Sequence, residues 1–325
     1  MNEKQIYSPM AAGNGAYVVH SILSQMIGGY NICSLPISKT VYPALLRGYR
    51  RPDHIVHTVP EYGDVFFLKN TKAVVTFHNY FWDTDYFSNC TLSQSLFYRF
   101  IQRGSVSKAV ARADRIVAVS EYTADLVRVA FPGKEIVVIH NGVDTARFYP
   151  VLKLKSEKVV ILFSGNPTKR KGWKILVDIA RALPENCELW VTGGLRETGV
   201  SSVQMNIRLL GRIDYRDMPA LYQQADMLLL PSYREGLSLS ALEAMSCGLP
   251  VVSYNCSSMD ELSFGQQMDL LSDPDDLAAI LENILLLVED EKLRKSIGEM
   301  NRSQCEAMFT LDSMVTKYKL LFESL

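Results

Sequence analysis

Two glutamates separated by seven residues carry the strongest chemical signal in the chain. They are Glu235 and Glu243, in the run P-S-Y-R-E-G-L-S-L-S-A-L-E-A-M-S-C-G-L-P-V-V at 231–252. A carboxylate can accept hydrogen bonds from two neighbouring hydroxyls. The backbone N–H groups of Gly236, Leu237 and Ser238 fall where a helix should begin, and a helix N-terminus attracts anions. Carboxylates around a phosphate site suit a ligand with a sugar on each side of its phosphates. The alternative reading makes Glu235 a loop surface charge and Glu243 a solvated helix position.

A second cluster lies in S-G-N-P-T-K-R-K-G at 164–172. Lys169, Arg170 and Lys171 stand between an apolar run and a helical pattern. Cations fixed there would stabilise charge that develops on a departing diphosphate. The alternative is a solvated basic loop. A third candidate is His78, which ends the apolar run K-A-V-V-T-F. Ligands of open parallel sheets gather at the C-terminal ends of strands, although a lone histidine is more often structural.

These residues need a scaffold of alternating strands and helices. Met227 to Leu230 form a short apolar run bounded by Asp226 and Pro231, which reads as a buried strand. Leu239, Leu242 and Met245 then recur at helical spacing, with Ser238 or Ser240 as N-cap, until Gly248 stops the helix and Pro250 opens the next strand. Strand, loop, helix, strand is the unit of a parallel sheet. Further strands are expected at 5–9, 31–35, 53–59, 71–78, 115–119, 136–139, 159–163, 188–192 and 207–211. Helices are expected along the stripe Val18, Val19, Ile22, Leu23 and Met26, after an N-cap at Ser120, over 173–183, over 274–288 with a Pro274 start, and up to Phe322. Gly13 and Gly15 follow the first strand, either for close backbone approach to a ligand or as an ordinary turn. A dinucleotide fingerprint needs another glycine where Val18 stands, so a nicotinamide site is not expected.

The run E-G-L-S-L-S-A-L-E-A-M-S-C-G-L-P-V-V resembles the signature of the retaining glycosyltransferases of family 4, roughly E-G-x-x-x-x-x-x-E-A-M-A-x-G-x-P-V-V. The match holds at Glu235, Gly236, Glu243, Ala244, Met245, Gly248, Pro250, Val251 and Val252. A-D-R-I-V-A-V-S at 113–120 and I-H-N-G-V-D at 139–144, with Phe148 and Pro150, are similar to the family's A-D-x-V-I-A-V-S and I-P-N-G-V-D-x-x-x-F-x-P. Asp214, Tyr222, Ala225 and Asp226 fit its D-x-x-x-x-x-x-Y-x-x-A-D pattern. Lys171-Gly172 matches the end of G-R-x-x-x-x-K-G, but Asn166 replaces its arginine. V-T-F-H-N resembles V-x-T-x-H-D, with Asn79 for the aspartate.

The resemblance implies an α/β protein of the GT-B fold, with two Rossmann-like doubly wound domains facing a cleft and a C-terminal helix crossing back to the first. The implied boundaries are an acceptor domain at 1–150, a nucleotide-sugar domain at 151–308, with a polar linker at 151–158, and the crossing helix at 309–325. It implies transfer of a sugar from a nucleotide donor, with a UDP-sugar favoured, to a hydroxyl, with retention and with neither metal nor cofactor. Arg170 and Lys171 would hold the diphosphate, with Asn166 in the same loop. Glu235 would hold sugar hydroxyls, Glu243 the ribose, and His78 would line the sugar site. Gly13, Gly15 and Gly193 would lie close to the donor, and the backbone at Arg212 and Ile213 would hold the base. A sugar-nucleotide epimerase and a non-catalytic sugar-binding relative are the alternatives.

Composition bounds these readings. The 325 residues suit two domains, and 48% of them are hydrophobic, enough for two cores. A formal net charge of -1 gives no case for nucleic acid. The six cysteines show no metal-ligand spacing and suit reduced thiols of the cytoplasm. There is no signal-peptide core and no membrane-spanning run. Asp83-Thr84-Asp85 resembles the D-x-D of metal-dependent transferases, but nothing else fits that fold. The stretch 80–115 combines aromatics with bases, Trp82, Arg99 and Arg103 among them. It would suit an anionic membrane surface at the inner face or a lipid-diphosphate acceptor in bacterial surface-glycan assembly. The alternative is a core helix with a solvated basic face.

Overall fold

The computed structural model describes residues 4–52, 55–80, 102–153, 158–165, 168–193 and 206–325. The chain divides into two compact units, Met1–Asn141 with Asp312–Leu325, and Gly142–Leu311.

The first unit is built on a parallel sheet of β1 (Ile6–Ala11), β2 (Tyr30–Leu35), β3 (Ile55–Thr58), β4 (Lys72–Phe77), β5 (Arg115–Ala118) and β6 (Ile136–Val138), in the order β2-β1-β3-β4-β5-β6. β1 and β3 are buried along their whole length, as strands covered on both faces must be. The sequence stops β1 at Pro9, yet the strand runs on to Ala11. The β1–β3 ladder involves only Ile6 and Tyr7, so the missing N–H of Pro9 removes nothing from it. Tyr7, Met10, Phe66, Val75, Phe77 and Val106 belong to the core beside the sheet. The last helix, Leu311–Glu323, belongs here too: Tyr318 lies 5.2 Å from the His57 ring and Phe322 6.0 Å from that of Tyr30.

Helix Gly15–Met26 buries Val19, His20 and Leu23, while Met26 is exposed. Of the expected stripe Val18, Val19, Ile22, Leu23 and Met26, Val19 and Leu23 form the inner face, Val18 and Ile22 are half-buried, and a histidine joins them.

The second unit carries β7 (Val159–Phe163), β8 (Cys187–Thr192), β9 (Ile207–Gly211), β10 (Met227–Leu230), β11 (Val251–Tyr254) and β12 (Leu271–Ser272), in the order β12-β11-β10-β7-β8-β9. The chain winds outward from β7 in one direction and from β10 in the other. Loops leaving these two adjacent strands diverge, and a crevice opens at such a switch point. Ser238, not Ser240, caps helix Leu239–Ser246, accepting from the Ala241 N–H at 3.3 Å. The helix expected from Pro274 starts instead at Leu277, because the Asp276 side chain accepts from the Ala279 N–H at 2.9 Å and caps it there.

Helix Glu291–Met308 has no counterpart in the sequence reading. Its inner face carries Gly298, Asn301 and Gln304 beside Ile297 and Cys305, so no apolar stripe announces it. Asn301 is fully buried and donates to the Leu249 carbonyl at 2.9 Å and to Gln267 Oε1 at 2.8 Å. Arg302 donates to the carbonyls of Thr145, Phe148 and Ser246. Among the described residues, no helix is long and apolar enough to cross a membrane.

A Cβ on Gly298 would lie 2.0 Å from the Gly248 carbonyl oxygen. Gly298→Ala is therefore expected to lower unfolding free energy by about 1–3 kcal/mol or more. Urea titration checks this, and an unchanged midpoint would show that the helix can slide aside.

Candidate active site

The loops that follow β7 and β10 meet at the switch point of the second sheet. In the first loop, Thr168 caps the 3-10 turn Lys169–Lys171, accepting from the Lys171 N–H at 3.3 Å. Gly172 then reverses the chain at φ +73°, a conformation that favours glycine. A Cβ there would come within 2.1 Å of the Pro231 carbonyl oxygen. The requirement for glycine after Lys171 is thus steric as well as conformational. Backbone bonding completes the join, since the Tyr233 N–H donates to the Arg170 carbonyl at 2.9 Å. The Arg170 guanidinium donates to the Arg234 carbonyl at 2.6 Å.

This join places Lys171 Nζ 3.1 Å and Arg170 Nη1 3.7 Å from Glu235 Oε1. Glu235 is only 9% exposed, so the surface-charge reading does not hold. Burial alone would raise its carboxyl, but Lys171 and then Arg170 hold it below the ordinary range. The Glu235 N–H donates to Ser257 Oγ at 2.9 Å. The Lys171 side chain passes over Gly165, where an added methyl would touch it at 3.4 Å. The Gly165 N–H donates to Thr192 Oγ1 at 2.9 Å, which ties the ends of β7 and β8 together.

Glu243 has the opposite environment. It is buried on helix Leu239–Ser246, so it is not a solvated position. The Tyr222 hydroxyl lies 2.9 Å from its Oε2 and 3.0 Å from Ser164 Oγ. Burial pushes its carboxyl up to about 7, and the Tyr222 bond and Arg147 offset this only in part. Arg147 is itself stacked 4.4 Å from the Tyr215 ring.

The remaining candidates fall in several places. Gly236, Leu237 and Ser238 are buried between Glu235 and the helix start. The Gly193 N–H donates to the Gly211 carbonyl at 2.8 Å, which brings it beside the start of Arg212-Ile213; Arg212 is exposed and Ile213 half-buried. In the first unit, Gly13 is exposed at φ +84° with open space around it, and Gly15 begins a helix whose cap, Asn14, accepts from the Tyr17 N–H at 2.8 Å. His78 follows β4 with its Nε2 3.2 Å from His20 Nε2. Arg103 is exposed on helix Arg103–Arg112, which buries Val106, Ala109 and Val110; that part of the basic stretch is a core-packed helix with a basic outer face. Asn166, Trp82, Arg99 and the Asp83-Thr84-Asp85 triplet lie outside the described residues.

Sequence reasoning missed His20, Ser257, Arg147 and Ser164. His20 had one usable signal, its placement next to Val19 and three residues before Leu23. Ser257 and Ser164 had none, because small hydroxyl residues in loops are too common to single out.

Two Rossmann-like units, with cations and a buried carboxylate at one switch point, have the architecture of the GT-B glycosyltransferases. The model for glycosyl transferases group 1 matches residues 144–304, and that for glycosyltransferase family 4 matches residues 6–147. The chain belongs to these glycosyltransferases. It is 28% identical over 221 residues to an uncharacterized glycosyltransferase of Methanocaldococcus jannaschii, covering 67% of this chain and 61% of the relative. It is 28% identical over 312 residues to the O-antigen chain mannosyltransferase B of Escherichia coli, covering 85% of this chain and 76% of the relative. The chain thus spans about three fifths of the first relative's length. Its fold is similar to that of Anabaena HepE, solved in complex with UDP and glucose, with a TM-score of 0.77 and 16% identity over 99% of this chain and 100% of that one.

The Glu243 environment has a consequence for stability. An unfolded chain ionises this carboxyl near 4.5, whereas the folded chain keeps its proton up to about 7. Between those values Glu243 binds more proton in the folded state, so its own contribution to stability falls as pH rises, by up to about 1.4 kcal/mol per pH unit. Burial also pushes Glu61 up to about 7, which acts in the same direction, whereas buried His20, His57 and His78, held neutral, act in the opposite direction below about 6.5. Against that background, Glu243→Gln should shift the slope of stability against pH in the positive direction between about 4.5 and 7. Urea midpoints measured at several pH values for both proteins check this, and equal slopes would contradict the assignment.

Proposed function

We propose that the protein is a retaining glycosyltransferase that moves a sugar from a UDP-sugar to a hydroxyl of a glycan or lipid-linked acceptor without a metal. The convergence of Lys171 and Arg170 on buried Glu235 carries this reading. Negative charge growing on the leaving diphosphate needs cations that are already held in place. A carboxylate beside them suits sugar hydroxyls while it keeps the two cations oriented. The likeness to a protein solved with UDP and glucose supports the choice of donor. A relative named for O-antigen chain mannosyl transfer supports a surface-glycan acceptor. Exposed Arg103 and Lys108 offer a basic face suited to an anionic lipid head group.

In the proposed reaction the acceptor oxygen bonds to the anomeric carbon on the face the diphosphate leaves. The carbon–phosphate-oxygen bond breaks, and the acceptor proton passes to a phosphate oxygen of the leaving group. Lys171 and Arg170 stabilise that group, Glu235 and the segment Gly236–Leu237–Ser238 hold the sugar, and Glu243 accepts from the ribose. Gly13, Gly15 and Gly193 give close backbone approach, and the backbone at Arg212 and Ile213 flanks the base.

Lys171→Ala should lower kcat about a hundredfold at saturating donor, as loss of one oxyanion donor does. Near-normal kcat would refute the role. Hydroxyls donating to Glu243 should favour its ionised form, so nucleotide binding should release a proton and tighten as pH rises through about 7. Calorimetry of UDP binding in buffers of different ionisation enthalpy reads this, and no proton release would remove Glu243 from the ribose site.

A further inference from the structure

Behind His78 runs an unbroken chain of buried polar groups. His20 Nε2 lies 3.2 Å from His78 Nε2, and His20 Nδ1 lies 2.7 Å from Ser8 Oγ and 2.8 Å from the Tyr30 hydroxyl. The Tyr30 oxygen is also 2.8 Å from His57 Nδ1. His57 Nε2 is 2.7 Å from Thr76 Oγ1, which lies 3.3 Å from the Tyr318 hydroxyl. Ser8, His20, Tyr30, His57, Thr76 and Tyr318 are all buried. The core that excludes water from them also keeps the rings neutral. Burial pushes His78 down to about 3, and pushes His20 and His57 well below the ordinary histidine range.

Each neutral ring has one N–H and each hydroxyl one proton, so the chain can be satisfied in only two directions. In one direction, Tyr318 donates to Thr76, Thr76 to His57 Nε2, His57 Nδ1–H to Tyr30, and Tyr30 to His20 Nδ1. Ser8, whose hydroxyl is also hydrogen-bonded to Tyr30, donates to the Tyr30 oxygen because the single Nδ1 lone pair is taken, and His20 Nε2–H donates to His78 Nε2. Every proton then has an acceptor. In the reverse direction, the Tyr318 hydroxyl must accept from Thr76. Tyr318 has no other acceptor among the described residues, so one buried O–H proton would be stranded, whereas Ser8 could still donate to the Tyr30 oxygen. The first direction is the satisfied one.

We propose that this chain holds His78 as the neutral tautomer protonated on Nδ1, with His20 as its positioning residue, so that His78 donates a hydrogen bond to a substrate oxygen and cannot take a proton. The assignment of that oxygen to the sugar rests on the transfer reading, whereas the tautomer does not. His78 Nε2 is occupied by the His20 proton, and its Nδ1 already carries one. The imidazole is thereby excluded as general base, and the acceptor proton must go elsewhere.

The test is histidine-selective 15N labelling of the full chain, with long-range proton–nitrogen spectra and His78→Asn to assign the signals. Wild-type His78 should show a protonated Nδ1 and a bare Nε2, unchanged between about pH 5 and 8. His20→Leu should release the ring, so that His78 mixes tautomers or titrates, and kcat should fall about tenfold to a hundredfold with little change in donor KM. His20→Gln, whose amide can donate to Nε2, should restore the wild-type pattern and most of kcat. A wild-type proton on Nε2, a titration of His78 within that range, or unchanged His78 signals in His20→Leu would each overturn the proposal. The wild-type spectrum alone can do so if His20→Leu fails to fold. The expected spectra in a protein that turns over no sugar nucleotide would uphold the relay and refute the transfer reading instead.

Discussion

The second unit depends on one close approach, the Gly172 backbone against the carbonyl of Pro231. That contact brings the loop after β7 against the loop after β10, and everything chemical in this unit follows from it. It delivers Lys171 and Arg170 to Glu235, and it lets the Tyr233 N–H find the Arg170 carbonyl. A buried ion pair is a poor device for stability, because desolvating both charges costs about as much as their attraction returns. Its value here is geometric. Two cations held by a fixed carboxylate need no rearrangement when a third, anionic group arrives.

The two glutamates of one motif do opposite electrostatic work because their neighbours differ. Both lie in the same buried stretch, and burial pushes both carboxyls up. Glu235 has Lys171 and Arg170 within ion-pair distance and stays anionic. Glu243 has a neutral phenol as its nearest partner, with Arg147 acting only through space, and its carboxyl rises to about 7. One site therefore holds a permanent anion that orders cations and a carboxyl whose charge can respond to what binds.

Much of this was legible because the informative residues come in strings. The apolar runs of β4, β7 and β10 are short and near-continuous, as doubly covered parallel strands require. The E-G…E-A-M…G-x-P-V-V string also combines a loop, a cap, a helix and a stop, which few other arrangements satisfy. What was not legible was built from polar inner faces. Helix Glu291–Met308 packs through Gly298, Asn301 and Gln304, which score as surface residues in any periodicity argument. His20 was lost for the same reason, since an apolar stripe on its helix could be drawn without it. Pro274 misled because a proline near a helix start competes with a better cap two residues on, Asp276.

The histidine chain bears on the proton transfer proposed above. A neutral imidazole beside a sugar would ordinarily be the first candidate to take the acceptor's proton. Here the direction of the hydrogen bonds removes that option. Tyr318 sits at a buried end with no other acceptor among the described residues, and its proton sets the chain's polarity outward to His78. A donor at the end of β4 can orient a sugar oxygen or stabilise charge on it, but it cannot accept. Glu235 is a weak base for the same task, being held anionic by two cations that lower its proton affinity. In the proposed transfer the proton then passes to the leaving phosphate oxygen, which gains basicity as its bond to the sugar breaks.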